Sequence, residues 1–185
     1  MINTFENTFI DFLKTENSIK KPIFMPDFRE CLISCCDMAP CTEPYLKDFK
    51  FPELYDWSFL ENFKDPEFWY LENLCEEKLE EMGKILKDCK NSDEKYSRIL
   101  ETFSEIWPKR FECPESVYRR NLVATEKLKE FVKVNGVGDG ELFLIAHSCT
   151  LRTFTTTEFD EKYLPVPGKC KQFKNAEIIE YELEI

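Results

Sequence analysis

The chain has 185 residues, 43% apolar and 33% charged, with 36 acidic against 25 basic side chains and a single histidine. That length suits one domain with a sizeable core, and that balance belongs to an ordinary soluble globular protein. No apolar stretch approaches the ~20 residues of a membrane span, and the net charge of −11, concentrated where 15 acids face 7 bases between residues 53 and 105, repels nucleic acid and anionic membranes, so neither is expected as a partner.

The opening stretch MINTFENTFIDFLKTEN carries acids and no early basic cluster. It reads as neither a signal nor a transit peptide, and the cytosol is the expected compartment. Phe5, Phe9, Phe12 and Leu13 share a face at helical spacing over 4–17. The apolar piece Ile23–Met25 follows a Lys-Lys-Pro break and predicts a brief strand running into the loop Pro26-Asp27-Phe28-Arg29-Glu30. Residues 31–65 are rich in proline, cysteine and aromatics and lack a sustained period. They predict an irregular excursion packed by Phe49, Phe51, Tyr55, Trp57, Phe59 and Phe63.

Nine cysteines, an odd and scattered set, predict reduced and mostly buried thiols. Cys31, Cys35, Cys36 and Cys41 cluster in sequence, yet they lack paired C-x-x-C knuckles and a neighbouring histidine, so no metal is expected there and packing is the favoured role. No cofactor is expected either.

Asp65-Pro66-Glu67 looks like a helix start, and the composition stays helical to about Lys90. A second helix is expected from Ser92 to Trp107. A third begins at Cys113-Pro114-Glu115, buries Val117, Ala124, Leu128 and Phe131, and ends near Asn135-Gly136. The glycine-rich Gly136–Gly140 is a turn; it precedes an apolar run instead of following one, so it is not a phosphate loop. Leu142–Ala146 is wholly apolar and predicts a strand buried on both faces of a parallel sheet. His147-Ser148 ends it, and a short helix follows. Residues 158–175 predict a loop, and Ala176–Ile185 alternates with Ile179, Tyr181, Leu183 and Ile185 on one side, as a final strand would. Helices flanking a few apolar strands imply an α/β layered domain.

In open α/β sheets ligands bind beyond the carboxyl ends of strands, and His147 stands at such an end. An imidazole there could hold phosphate or move a proton, or it could simply cap the strand-to-helix turn. Cys113 and Arg119 have the Cys-x5-Arg spacing of cysteine phosphatases. Pro114 lacks an N–H and Glu115 repels phosphate, so that loop cannot wrap an anion.

The segment LFLIAHSCTLR resembles the second-histidine segment of the histidine phosphatase superfamily, the phosphoglycerate-mutase-like proteins. Three further stretches resemble that family in its own order. PDFRE is similar to its Leu-Arg-Glu segment, ECPESVYRRNLVATEKLKEFV to its Glu-Ser-x-x-x-Arg helix, and KNAEIIEYEL to its closing strand. The resemblance covers most of residues 1–185 and implies one domain with a small, mostly parallel sheet, N-terminally truncated relative to the family, with residues 31–110 as an irregular and helical insertion. It implies His147 as the phosphate-binding histidine and Glu30 as the acid, with Ser148 and Arg152 beside the phosphate. Arg119 and Arg120 are left to helix packing and surface charge.

The family's nucleophile is a histidine in an Arg-His-Gly motif, and this sequence contains no such motif; Ser148 also replaces the glycine that follows the second histidine. Three readings result. The chain is a histidine-phosphatase-like domain without ordinary phosphoryl transfer, binding a phosphorylated small molecule or a phosphoprotein, with unpaired sheet edges that favour self-association. Alternatively, it is the C-terminal part of an active phosphomonoesterase whose Arg-His-Gly lies upstream. Or it is a non-catalytic interaction module that binds through residues 31–70.

Overall fold

A computed structural model of the chain describes residues 11, 21–32, 52–63, 66–72, 74, 76–105, 112–136, 142–174 and 177–183. They fall into two compact units, one built from Met1–Pro26 and Ala39–Glu72, the other from Asp27–Met38 and Asn73–Ile185. The helix expected over 4–17 lies outside the described residues, Asp11 apart.

Aromatic packing dominates the first unit. Ile23 and Asp56 form an isolated parallel bridge, in which the Phe24 N–H donates to Asp56 O (2.9 Å) and the Asp56 N–H to Pro22 O (2.8 Å). That is the extent of the strand expected at Ile23–Met25. The described residues of this unit wind into 3-10 turns at Pro52–Leu54, Ser58–Asn62 and Pro66–Leu71. Trp69 meets Phe24, Phe63 and Tyr70 at ring separations of 5.9, 6.2 and 5.8 Å, within the range of favourable edge-to-face packing. Tyr55 and Phe63 are buried as expected and Trp57 and Phe59 half-buried, while Phe49 and Phe51 lie outside the described residues.

The helix expected from Asp65 to Lys90 is broken. Pro66–Leu71 winds as 3-10 helix with Phe68 off helical geometry (φ −121°, ψ 35°), and α-helix begins only at Glu76. Phe68, Trp69, Tyr70 and Leu71 are all buried. Four successive buried side chains point all around an α-helix and cannot share its single buried face.

The second unit is helical. Helices α1 (Glu76–Leu86) and α2 (Ser92–Glu105) pack together, as do α3 (Pro114–Asn135) and α4 (Ser148–Phe154). Asn91 Oδ1 accepts the Glu94 N–H and Glu94 Oε2 accepts the Lys90 N–H (both 2.9 Å), a reciprocal cap at the start of α2. Pro114 occupies the first turn of α3, whose missing N–H costs nothing there. At its other end Gly136 takes a positive φ of 62° and donates its N–H to Val132 O (2.8 Å). Val117, Ala124 and Leu128 are buried along α3, Phe131 is half-buried, and Arg120 and Asn121 join the same face. Beyond α4 an isolated antiparallel bridge joins Phe159 to Pro165, and Tyr118 of α3 packs on Phe159 and Tyr163 at 4.7 and 5.3 Å.

The expected α/β layered fold with a mostly parallel sheet is therefore corrected. The described residues are helix-rich and contain no strand; their bridges are the two isolated ones above. Leu142–Ala146 forms neither helix nor strand, with Phe143 68% exposed. Residues 177–183 likewise form neither helix nor strand, and Ile178 is 83% exposed. An apolar run sets a tendency to extend, whereas a strand exists only through hydrogen bonds to a partner, which a local pattern cannot supply.

Candidate functional site

The residues that matter lie on three pieces of the second unit: the stretch 27–32, the start of α3, and the His147 end of α4. Their meeting point is Glu112, whose side chain is wholly buried. Arg29 Nη1 and Nη2 donate to its Oε2 (2.8 Å) and Oε1 (3.1 Å). Arg120 Nε and Nη2 donate to Oε1 (2.8 Å) and Oε2 (3.1 Å), and the Leu32 N–H adds a fifth bond (3.1 Å). The backbone pairs as well, the Glu112 N–H donating to Leu32 O (3.1 Å). Both guanidiniums are bidentate, the geometry in which arginine binds carboxylate best.

Burial pushes the Glu112 carboxyl up, but the charges of Arg29 and Arg120 and their hydrogen bonds outweigh it and hold it below the usual carboxylate range. Arg29 is pushed down to about 10, by burial first and then by the charge of Arg120, against the pull of Glu112. Two guanidiniums and one carboxylate leave this buried group with one net positive charge.

The triad fixes the stretch that carries Glu30. Arg120 Nη1 also donates to the carbonyls of Asp27 and Arg29, and Lys127 of α3 pairs with Asp27. From the other side the buried Thr150 hydroxyl of α4 donates to Arg29 O (2.7 Å), and Phe28 packs edge-on against Phe154 at 5.4 Å. The backbone of 27–32 is thus held by α3 and α4 together.

On that support Glu30 meets His147. Glu30 Oε1 accepts the N–H of Cys31 (2.9 Å), which folds the carboxylate back on its own chain, and Oε2 lies 2.7 Å from His147 Nδ1. The imidazole is 47% exposed. A carboxylate on Nδ1 selects the tautomer protonated there, orients the ring, and leaves Nε2 for another partner. His147 takes an extended conformation (φ −69°, ψ 151°) immediately before α4, and its side chain makes no cap bond to the helix.

The two catalytic candidates, Glu30 and His147, are brought together; the two secondary ones are placed differently. Ser148 is exposed at the first position of α4. Arg152 donates Nε to Cys170 Sγ (3.4 Å). Five positions after His147 its side chain leaves a helix in a different direction. Arg119 is exposed and pairs with Glu115 at 2.7 Å, so Cys113 and Arg119 make no phosphate loop. Arg120, by contrast, is fully buried. Its position was legible: it falls three residues after Val117 and four before Ala124, on the buried stripe. Glu112 gave no such signal: Arg29 and Leu32 stand 83 and 80 residues away in sequence, and Arg120, eight residues on, lies beyond the periodic reach of a helix that starts only at Pro114.

Cys31 and Cys149 also meet here, with sulfurs 2.9 Å apart. The other cysteines of the Cys31–Cys41 cluster lie outside the described residues. Ligand atoms of Glu30, Cys31 and Cys149 lie within 4.8 Å of one another, close enough to surround a metal ion. Both Glu30 oxygens are already engaged, however, and the hydrogen bond with Cys149 together with burial pushes the Cys31 thiol up, away from the thiolate that a metal requires.

No protein-family model matches the chain, and neither a curated protein nor a solved structure matches it.

Proposed function

We propose that the chain binds phosphorylated ligands at the Glu30–His147 pair and does not perform ordinary phosphoryl transfer; the reading rests on the motif resemblance to the histidine phosphatases, whose sheet the described residues lack. One observation carries this reading: the two residues selected by motif resemblance, 117 positions apart, lie 2.7 Å from each other. The stretches PDFRE, ECPESVYRR and HSCTLR, which resemble the family in its own order, converge on the same place through Glu112, Arg120 and Thr150.

The chemistry is consistent. With Nδ1–H held by Glu30, the imidazolium form offers Nε2–H to a phosphoryl oxygen. Glu30 alone would repel that oxygen. The net positive triad is joined to this residue through Arg29 Nη1, which donates to the Glu30 backbone carbonyl (2.8 Å), and its charge works against the repulsion. Covalent transfer would need a second, nucleophilic imidazole, and the sequence holds one histidine. Losing a covalent nucleophile costs several powers of ten in rate.

Because His147 is the sole histidine, its ring-proton resonances are assigned without ambiguity. Phenyl phosphate at millimolar concentration should shift them in a saturable manner, and Glu30→Gln should weaken the binding. Release of phosphate from 4-nitrophenyl phosphate should stay at background. Absence of a saturable shift would refute binding, and turnover abolished by His147→Ala would refute the non-catalytic assignment.

A further inference from the structure

We infer that Cys31 and Cys149 form a reversible disulfide, a modification site that ties together the two backbone segments carrying Glu30 and His147. The sulfurs stand 2.9 Å apart, closer than two non-bonded sulfurs ordinarily approach and a small movement from the ~2.05 Å bond. They are not covalently joined in this structure.

Three features make the pair a site and not a chance contact. First, its frame is fixed. Thr150, next to Cys149, donates its hydroxyl to the carbonyl of Arg29, two residues before Cys31, and Phe28 packs on Phe154. Both cysteines therefore ride on backbone segments that are tied to each other. Second, the pair is asymmetric. Cys31 is buried and Cys149 half-exposed, so an oxidant reaches Cys149 first and Cys31 is the resolving thiol. Third, the neighbours of the pair are the functional residues. Cys31 follows Glu30 and donates its N–H to the Glu30 carboxylate, and Cys149 lies two residues after His147.

The oxidant class is a hydroperoxide. The Cys149 thiolate attacks one peroxide oxygen, the O–O bond breaks, and Cys149 becomes a sulfenic acid while the other oxygen leaves as water after taking a proton. The sulfur of Cys31 then attacks the sulfenic sulfur, the S–O bond breaks, and the departing hydroxide takes the Cys31 thiol proton to leave as a second water. Two thiols are oxidised by two electrons in all, and one peroxide is reduced to two waters. A dithiol reductant reverses the change.

Formation of the bond does not depend on phosphate binding; only its effect on a ligand does, so the two can fail separately. The full chain is treated with one equivalent of hydrogen peroxide, blocked with N-ethylmaleimide, digested and mapped. A Cys31–Cys149 linked peptide should form, disappear with dithiothreitol, and be absent from Cys149→Ser and from Cys31→Ser. Oxidation should raise the melting temperature of the unmodified chain by about 10 °C, because the bond closes a loop of more than a hundred residues; Cys149→Ser should show no rise. It should also move the His147 ring resonances without any phosphate present. The inference is overturned if Cys31 and Cys149 stay alkylated while other cysteines pair. Linkage of either to Cys35, Cys36 or Cys41 in preference to each other overturns it too, as does a stoichiometric zinc ion that protects both thiols until chelated.

Discussion

Replacing Glu112 by glutamine tests the energetics of the whole arrangement. The substitution keeps the shape and removes the charge. It turns one of two accepting oxygens into a donor aimed at guanidiniums that also donate. Five hydrogen bonds converge on this carboxylate, and both side chains of its pair with Arg120 are fully buried. Breaking one buried ion pair from one side costs about 3–5 kcal/mol, since an uncompensated charge stays behind. Here one carboxylate serves two cations, so about 5 kcal/mol is expected, a large share of the roughly 5–15 kcal/mol that holds a domain together. With a urea slope near 2 kcal/mol/M, the midpoint should fall by about 2.5 M at unchanged slope. A loss below about 1 kcal/mol would refute the reasoning, because it would mean that the triad is hydrated in solution.

Replacing the triad as a set should behave differently: Glu112→Leu with Arg29→Met and Arg120→Met should recover most of that loss in the same urea titration, since burial already works against Arg29 and apolar side chains remove the desolvation cost. Acid should act through Glu112. Its folded-state carboxyl titrates below the unfolded one, so the unfolded chain binds more protons. The stabilisation is complete above the ordinary carboxylate pKa of ~4.3 and is lost as pH falls through the lower folded value; urea midpoints from pH 7 to 3 should show the decline, and Glu112→Gln should flatten it. Thr150→Val removes one buried hydroxyl donor while Arg29 O keeps its bond from Arg120, so a cost of about 1 kcal/mol is expected by thermal unfolding, with a shift of the His147 resonances as the 27–32 stretch relaxes.

Local signals carried the helices well. Pro114 at the start and Gly136 at the end bound α3 where the sequence marks them, and the Val117–Ala124–Leu128 stripe faces inward. The same kind of signal failed where the outcome depends on a distant partner. Leu142–Ala146 has the composition of a buried strand, and nothing in five apolar residues states what they pair with. Phe68–Leu71 sits in a stretch of helical composition, yet burial on every side broke it. At the site, resemblance picked out His147 and Glu30, and spacing could have picked out Arg120. Glu112 and Cys149 were illegible, because a buried ion pair or a thiol contact between residues 83 or 118 positions apart leaves no periodic trace.

The placement of 27–32 has a practical consequence for dissecting the protein. This stretch belongs to the helical unit, while the chain on both sides of Asp27–Met38 belongs to the other. The helical unit is therefore discontinuous, and a fragment beginning at Asn73 would omit Arg29, Glu30 and Cys31 together. It would strand Glu112 with half its cations, deprive His147 of its carboxylate and Cys149 of its thiol neighbour. Any attempt to isolate this site by truncation has to carry the short upstream segment with it, joined by a linker in place of residues 39–72.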